Sequence, residues 1–462
     1  MAVWNEVHIS TMVEKDRIDA EFFQHQYTEL DKYVGDGIPL STIASTVDLQ
    51  SNGAFRQIFD ILNDKGHKVV PYIRSGNVGN FFLNRNELHF ISKKAHSLLP
   101  KTHTKFGDIL MARKGKIGGA TLITEDDINL NSNDNVVNIR IKDSRFIPGY
   151  FVAFWNSKFG LSQVQRLSTG NVQPWLSMKQ VRMLKTVLLD YTDQQEVSEI
   201  VSLAYSKSKL SKSLYTQAED ILEKELGLDQ LVLKKDKTYE TTFSEMVDTF
   251  RGDAEYFNPT TREIVRRITS LKHLRLKECF SVVNGYPWSS TKFLSKGLGE
   301  PVVRIRNIRP GQIKNNSLTT LDKVYVNRLQ VPKAKKDDIV VGMDGIKYFY
   351  SAIITDECYV NQRVAHLSPK PGSSISSIYA SFIMNSRVGQ HQLLRDMTVA
   401  NTVGHITNNN IRDLVIPFPS KAFHDKVTDL VSKSFTAKQE SELLLEQAKM
   451  RVEQLIEGAV KQ

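Results

Sequence analysis

Two cysteines in 462 residues, Cys279 and Cys358, are too few and too far apart for a disulfide framework or a thiolate metal site. Both read as buried hydrophobes. No run of eighteen apolar residues occurs, so no membrane-spanning helix and no membrane partner are expected. The opening stretch MAVWNEVHISTMVEKDR is too polar and too acidic for a signal or transit peptide, which makes the cytoplasm the expected location. A phosphate-binding P-loop needs Gly-x-x-x-x-Gly-Lys-Ser/Thr, and the nearest run, Arg113-Lys-Gly-Lys-Ile-Gly-Gly119, lacks the final pair and reads as a basic turn. Asn258-Pro259 is followed by Thr260-Thr261, with no aromatic to stack on a flipped base. His89, His96 and His103 stand seven apart, but Pro100 breaks any helix between them, so no metal site is expected. No Ser-His-Asp arrangement is readable, because such partners are not sequence neighbours. No catalytic residue is therefore assigned in this chain.

What is present in ordinary amounts is apolar (40%) and charged (24%) residue content, fitting a globular protein of two to four domains. The net charge of +10 is concentrated. From Lys65 to Lys116 there are eleven Lys or Arg against two acids, and from Pro301 to Lys336 nine against one. These two segments carry +17 together, leaving about −7 for the rest. A solvated surface accounts for either patch alone; two patches on an otherwise acidic chain fit a binder of a polyanion in two places.

The patches belong to an internal repeat. Arg17-Ile-Asp-Ala-Glu-Phe-Phe23 recurs as Arg251-Gly-Asp-Ala-Glu-Tyr-Phe257, at an offset of 234. Asn52-Gly53 answers to Asn284-Gly285. Pro71-Tyr-Ile-Arg74 with Asn77 answers to Pro301-Val-Val-Arg304 with Asn307, and Gly107-Asp-Ile-Leu110 to Asp337-Asp-Ile-Val340, both at offset 230. Asn156-Ser-Lys-Phe-Gly160 matches Asn385-Ser-Arg-Val-Gly389, and Leu176–Val181 matches Ile406–Ile411. Thr192–Leu228 has no Pro and no interior Gly before Gly227. Its Val197, Val201, Ala204, Ser208, Ser211, Tyr215, Ala218 and Leu222 alternate in spacings of four and three, the seam of a helix lying along another helix. The same seam recurs in Val427, Val431, Ser434, Lys438, Ser441, Leu445, Ala448 and Val452.

The fold class expected is α/β (α+β): two similar domains with a pseudo-twofold repeat, separated by two long antiparallel coiled-coil helices. The boundaries read are 1–190 for the first domain, 191–228 for its helix, 229–245 for a linker, 246–418 for the second domain and 419–462 for its helix. Short β-rich runs such as Lys68–Ile73, Asp108–Ala112, Ala120–Thr124 and Val136–Ile141, separated by Gly, Asn, Asp and Pro turns, make each domain a small mixed sheet. Pro148–Trp155, matched by Ile378–Met384, reads as a short amphipathic helix.

Arg and Lys pair with phosphates and guanine edges, and Asn with adenine. The candidate binding residues are Arg74, Asn77, Arg85, Lys105, Arg113, Lys114 and Lys116 in the first half. In the second they are Arg304, Arg306, Asn307, Arg309, Lys314, Lys347 and Tyr348. Arg74 with Asn77 and Arg304 with Asn307 occupy equivalent places, which argues for a common role in phosphate contact or loop structure. Residues that differ between the halves, Lys114, Lys116, Arg306, Arg309, Lys347 and Tyr348, are the candidates for reading bases.

The Arg-x-Asp-Ala-Glu-aromatic-Phe openings, the Asn-Gly turn, the run from Gly107 to Gly118, the exit Leu414-Val-Ile-Pro-Phe-Pro419 and the terminal helices resemble the specificity (S) subunit of type I restriction-modification systems, over nearly the whole chain. The resemblance implies recognition of a bipartite double-stranded DNA target, one part per domain. It implies two methyltransferase (M) subunits that use S-adenosylmethionine on adenine, restriction (R) subunits that use ATP and Mg, and no cofactor in this chain. A standalone or architectural DNA-binding protein, a specificity chain of a type IIB-like enzyme, and an unrecognised nuclease or methyltransferase are the other readings. Two departures from the repeat stand out. Val341-Gly-Met-Asp-Gly345 replaces Ala112-Arg-Lys-Gly115, and Leu184–Leu189 lacks the prolines at 417 and 419.

Overall fold

A computed structural model describes residues 5–15, 17–115, 117–170, 173–231, 238–294, 297–400 and 403–461. The chain divides into two compact units, residues 1–208 with 439–462, and residues 209–438. Each unit thus contains a segment of both long helices, Tyr191–Glu225 and Lys421–Lys461.

In the first unit the strands Ala44–Val47, Val136–Ile141, Ile109–Ala112 and Ala120–Leu122 lie side by side in that order, every neighbour antiparallel. Behind them sits the helix Pro148–Asn156, started by Pro148 at a position where its missing N–H costs nothing. Every residue from Gly149 to Asn156 is buried. The amphipathic reading of this helix is corrected: it is apolar all round because it runs through the core, as such helices do. Its ends are fastened by polar atoms. The Tyr150 hydroxyl donates to the Val187 carbonyl at 2.6 Å, and Asn156 brackets the edge strand, donating to the Ala120 carbonyl at 2.8 Å and accepting from its N–H at 3.2 Å. A Cβ on Gly160 would lie 2.5 Å from the Trp155 Cα, so the turn into the next helix, Lys158–Leu167, closes only with glycine.

The second unit repeats this plan. Phe280–Asn284, Val364–Pro369, Ile339–Gly342 and Ser351–Ile353 form the same antiparallel order. The helix Ser377–Asn385 is its buried partner; Tyr379 donates to the Pro417 carbonyl at 2.7 Å, and Asn385 brackets Ser351 with two bonds of 3.0 Å. A Cβ on Gly389 would likewise lie 2.5 Å from the Met384 Cα. The repeated Asn-Ser-x-x-Gly residues are therefore fixtures of one architecture.

Each unit also has a smaller sheet ending in a parallel pair, Tyr72 beside Asn131 in the first and Val302 beside Tyr359 in the second. The Arg-x-Asp openings close on themselves. Arg17 pairs with Asp19 at 2.5 Å and lies over Phe22, while Arg251 pairs with Asp253 at 2.6 Å and lies over Tyr256.

Within each unit the two long-helix segments run antiparallel. In the first unit Glu196 pairs with Arg451 at 2.7 Å and the Ser441 hydroxyl donates to the Ala204 carbonyl at 2.7 Å. Val197, Val201, Ala448 and Val452 join the core that holds the buried helix, Leu445 packs at its edge, and Ala204 is buried. In the second unit the Ser434 hydroxyl donates to the Ser211 carbonyl at 2.8 Å. Ala218, Leu222, Val427 and Val431 are core residues there, with Tyr215 edge-on to Phe382. Small residues at the seam let two backbones approach closely enough for these hydroxyl bonds. The seam departs from the sequence reading where Ala437, a three-residue step from Ser434, is buried in place of Lys438.

Candidate nucleic-acid interface

The equivalent turns at the ends of the basic strands share one asparagine bond back to the arginine N–H. The side-chain oxygen of Asn77 accepts the Arg74 N–H at 2.9 Å, and its amide donates to the Asn84 and Asn86 carbonyls. Asn307 accepts the Arg304 N–H at 3.0 Å and donates to the Ser317 carbonyl at 3.0 Å. Both asparagines are buried with their capacity used, so they hold loops and are removed from the set that could touch a ligand. The paired arginines remain at the surface: Arg74 donates to His89 at 2.7 Å, and Arg304 lies over the Phe293 ring at 5.1 Å.

Beyond the second strand of the basic segment the units diverge on one backbone scaffold. Arg113 takes the Asn135 carbonyl and gives its own to Leu176; Met343 takes that of Arg363 and gives its own to Ile406. The Arg113 guanidinium is buried against Asp48 at 3.0 Å and donates to the Asp134 carbonyl at 2.9 Å. It is a structural residue and is corrected out of the interface, because an ion pair enclosed in this way cannot reach a ligand without opening the loop. Lys114 is half-exposed and pairs with Asp134 at 3.2 Å, and Lys116 lies outside the described residues. In the second unit Asp344 stands in place of Lys114 and pairs with His405 at 2.6 Å. Exposed Lys347 and Tyr348 follow it, with Tyr348 stacked on Tyr350 at 5.3 Å.

The remaining candidates separate by their partners. Arg85 is held by Asp127 at 2.6 Å, although almost half of its side chain stays exposed. Arg306 donates to Thr319 at 2.8 Å, and Arg309 to backbone carbonyls, with both heads at the surface. Among the described residues Lys105, Lys314 and Lys347 are exposed and have no acid partner. Arg306 and Arg309 are brought together in one turn, whereas Lys347 and Tyr348 stand on a separate loop.

A further feature of the first unit had no place in the reading of the sequence. Phe55 and Phe59 on the helix Phe55–Leu62 project outward and stack on each other, 6.4 Å apart. With Tyr72, Arg74, His89 and Asp134 they line a half-open cavity of about 320 Å³. Burial, and the charge of Asp134, push the Tyr72 phenol well above its usual range. Apolar residues at this spacing describe a helix facing a core equally well, and Ile58 of the same helix is buried. His96 and His103 stack at 3.8 Å, and burial, then the neighbouring His103, lowers the His96 pKa. Cys279 and Cys358 are free and buried, and burial pushes the Cys358 thiol up to about 12.

Two copies of one mixed α/β domain, each with exposed cations on a basic strand-and-turn segment, make this a duplicated protein. No family model matches the chain. Over 179 residues, 36% of its length, it is 24% identical to the type I restriction enzyme EcoBI specificity subunit of Escherichia coli, and the match spans 34% of that protein, about a third. Among solved structures it is similar to a type I restriction-modification S subunit from M. genitalium, with TM-score 0.42 and 12% identity over 91% of this chain and 94% of that one. It is also similar to the HsdS subunit from Thermoanaerobacter tengcongensis, with TM-score 0.28 and 12% identity over 91% and 96%. The resemblance to specificity subunits drawn from the repeated motifs is found again in the sequence comparison. Among the described residues no helix is long and apolar enough to cross a membrane.

Proposed function

We propose that this chain is the DNA-specificity subunit of a restriction-modification system. Each unit recognises one part of a bipartite double-stranded target, and separate methyltransferase subunits carrying S-adenosylmethionine modify adenine there. Restriction subunits using ATP and Mg are further partners under this reading, and the chain itself contributes no catalytic residue.

The observation that carries the proposal is the duplication. The scaffold residues Asn77 and Asn307, Asn156 and Asn385, and Gly160 and Gly389 perform the same structural task twice, while the exposed residues around them differ. A protein that binds one polyanion at two different sequences requires that division between a kept scaffold and changed contacts. The partial match to a protein named as a specificity subunit supports the same reading.

The test is methylome sequencing of cells with and without the chain. A bipartite adenine-methylation motif with a fixed spacer is expected only when the chain is present; an unchanged methylome overturns the proposal. At about 1.5 Å per residue, the 35-residue first long helix measures about 50 Å. Removing four residues from both long helices is expected to shorten the spacer by one or two base pairs.

A further inference from the structure

The repeat extends upstream of the Arg-x-Asp openings, into two short helices. Ile9–Lys15 and Phe243–Thr249 each have seven residues, and they align at the same offset of 234: Ile9-Ser-Thr-Met-Val13 against Phe243-Ser-Glu-Met-Val247. Ile9 with Val13, and Phe243 with Val247, are four residues apart and so share one face. All four are exposed, Ile9 by 77% and Phe243 by 80%. No residue of Phe243–Thr249 is buried. Helices this short are marginal in water and owe their stability to packing of an apolar face. Here that face points away from the fold.

The residue that ends the second helix makes the same point independently. Phe250 has φ of 52°, in the left-handed region where a bulky residue is strained, and the residue is 93% exposed. Neither the strained backbone nor the uncovered ring is compensated by any burial of that side chain. Ile18, just past the first helix, is similarly uncovered.

We infer that these two helices are a duplicated docking surface, each taking one copy of the same protein partner. Resting on the function proposed above, that partner is the methyltransferase subunit. An outward apolar face kept at matched positions in both repeats fits one partner met twice. DNA is a poor occupant, because these apolar faces offer a polyanion no cation and the second helix adds the exposed carboxylate of Asp248, Glu245 being paired with Arg262 at 3.2 Å. The partner surface is accordingly apolar, with a cation facing the exposed Asp248.

The full chain, co-expressed with the adenine-methyltransferase subunit of its own system, is purified and its composition read by light scattering. Wild type is expected to hold two copies. Val13→Asp and Val247→Asp each leave one, with affinity at the altered side down about tenfold or more, and the double variant holds none while its DNA affinity is unchanged. Phe250→Gly is expected to raise the unfolding temperature and weaken methyltransferase uptake together; uptake left unchanged overturns the part assigned to Phe250. A double variant that still holds two copies overturns the docking surface alone. A wild-type chain that takes up no methyltransferase overturns the functional reading with it. Self-association lost in the double variant assigns the surface to a second copy of this chain and overturns the inference too.

Discussion

Arg113 and Met343 stand at the same backbone position of the two units, between equivalent carbonyl and N–H partners, yet one side chain closes a buried ion pair and the other packs against the core. Asp48, which answers Arg113, has Asn284 as its counterpart by strand register, which corrects the sequence match of Asn284 to Asn52. A fully enclosed ion pair recovers only part of what desolvating both charges costs, so a neutral, well-packed alternative is tolerated. The loop geometry thus resides in the backbone bonds, and the side chains beneath it are free to drift provided that they change together.

Several substitutions break or sharpen that comparison, in falling order of effect. Arg113→Met alone strands a buried Asp48 carboxylate and is expected to destabilise the first unit by about 3–5 kcal/mol, read as a lowered denaturation midpoint. Adding Asp48→Asn, which places the second unit's residue types at both positions, is expected to restore most of the loss by removing the buried charge; a double variant as unstable as the single one means that the two loops are not interchangeable.

Asn77→Ala and Asn307→Ala each leave buried backbone groups unpaired, and each is expected to cost about 2–3 kcal/mol. Equal losses by calorimetry support one shared scaffold, and a loss in only one unit breaks the equivalence. For DNA binding the units are expected to separate by residue type. Arg306→Ala costs about 1–3 kcal/mol and relaxes one half-site, whereas Lys105→Ala weakens every sequence alike and lowers the salt slope by about one. Titrations at several salt concentrations on matched and half-altered sites distinguish them.

The smallest effect is expected in acid. The Glu245 carboxyl is held down to about 2 from its usual 4.5 by the Thr242 N–H, then by the Thr241 hydroxyl and the Arg262 charge. Its folded pKa is depressed, so its contribution is complete above about 4.5 and is lost as the pH falls toward 2. Thr11 stands at the matching place in the first unit. Amide signals of Phe243–Thr249 should therefore loosen between pH 5 and 2 while those of Ile9–Lys15 do not; a matching response in both helices refutes the role of Glu245.

Much of the fold was legible because it is written in periodicity. The seam residues Val197, Val201, Ala218 and Leu222 recur every three or four positions, and their counterparts from Val427 to Val452 repeat them, so helix, face and partner follow from spacing. The basic segments were legible as charge, but their individual residues were not. Asn77 and Arg113 look like ligand contacts in a list of Asn and Arg, and only the positions of Asn84, Asn86, Asp48 and Asp134 turn them inward. The helix Pro148–Asn156 is covered on every side, whereas the helix Phe55–Leu62 buries Ile58 and leaves Phe55 and Phe59 exposed: apolar spacing reports a face and not what covers it.

By itself the sequence determined the duplication, the long helices and the two concentrations of positive charge, since each is a property of order along the chain. Tertiary structure alone decided which cations are spent on internal carboxylates and which remain at the surface. Burial and pairing depend on residues tens of positions away, and whether a side chain serves the fold or a ligand is settled by those distant neighbours.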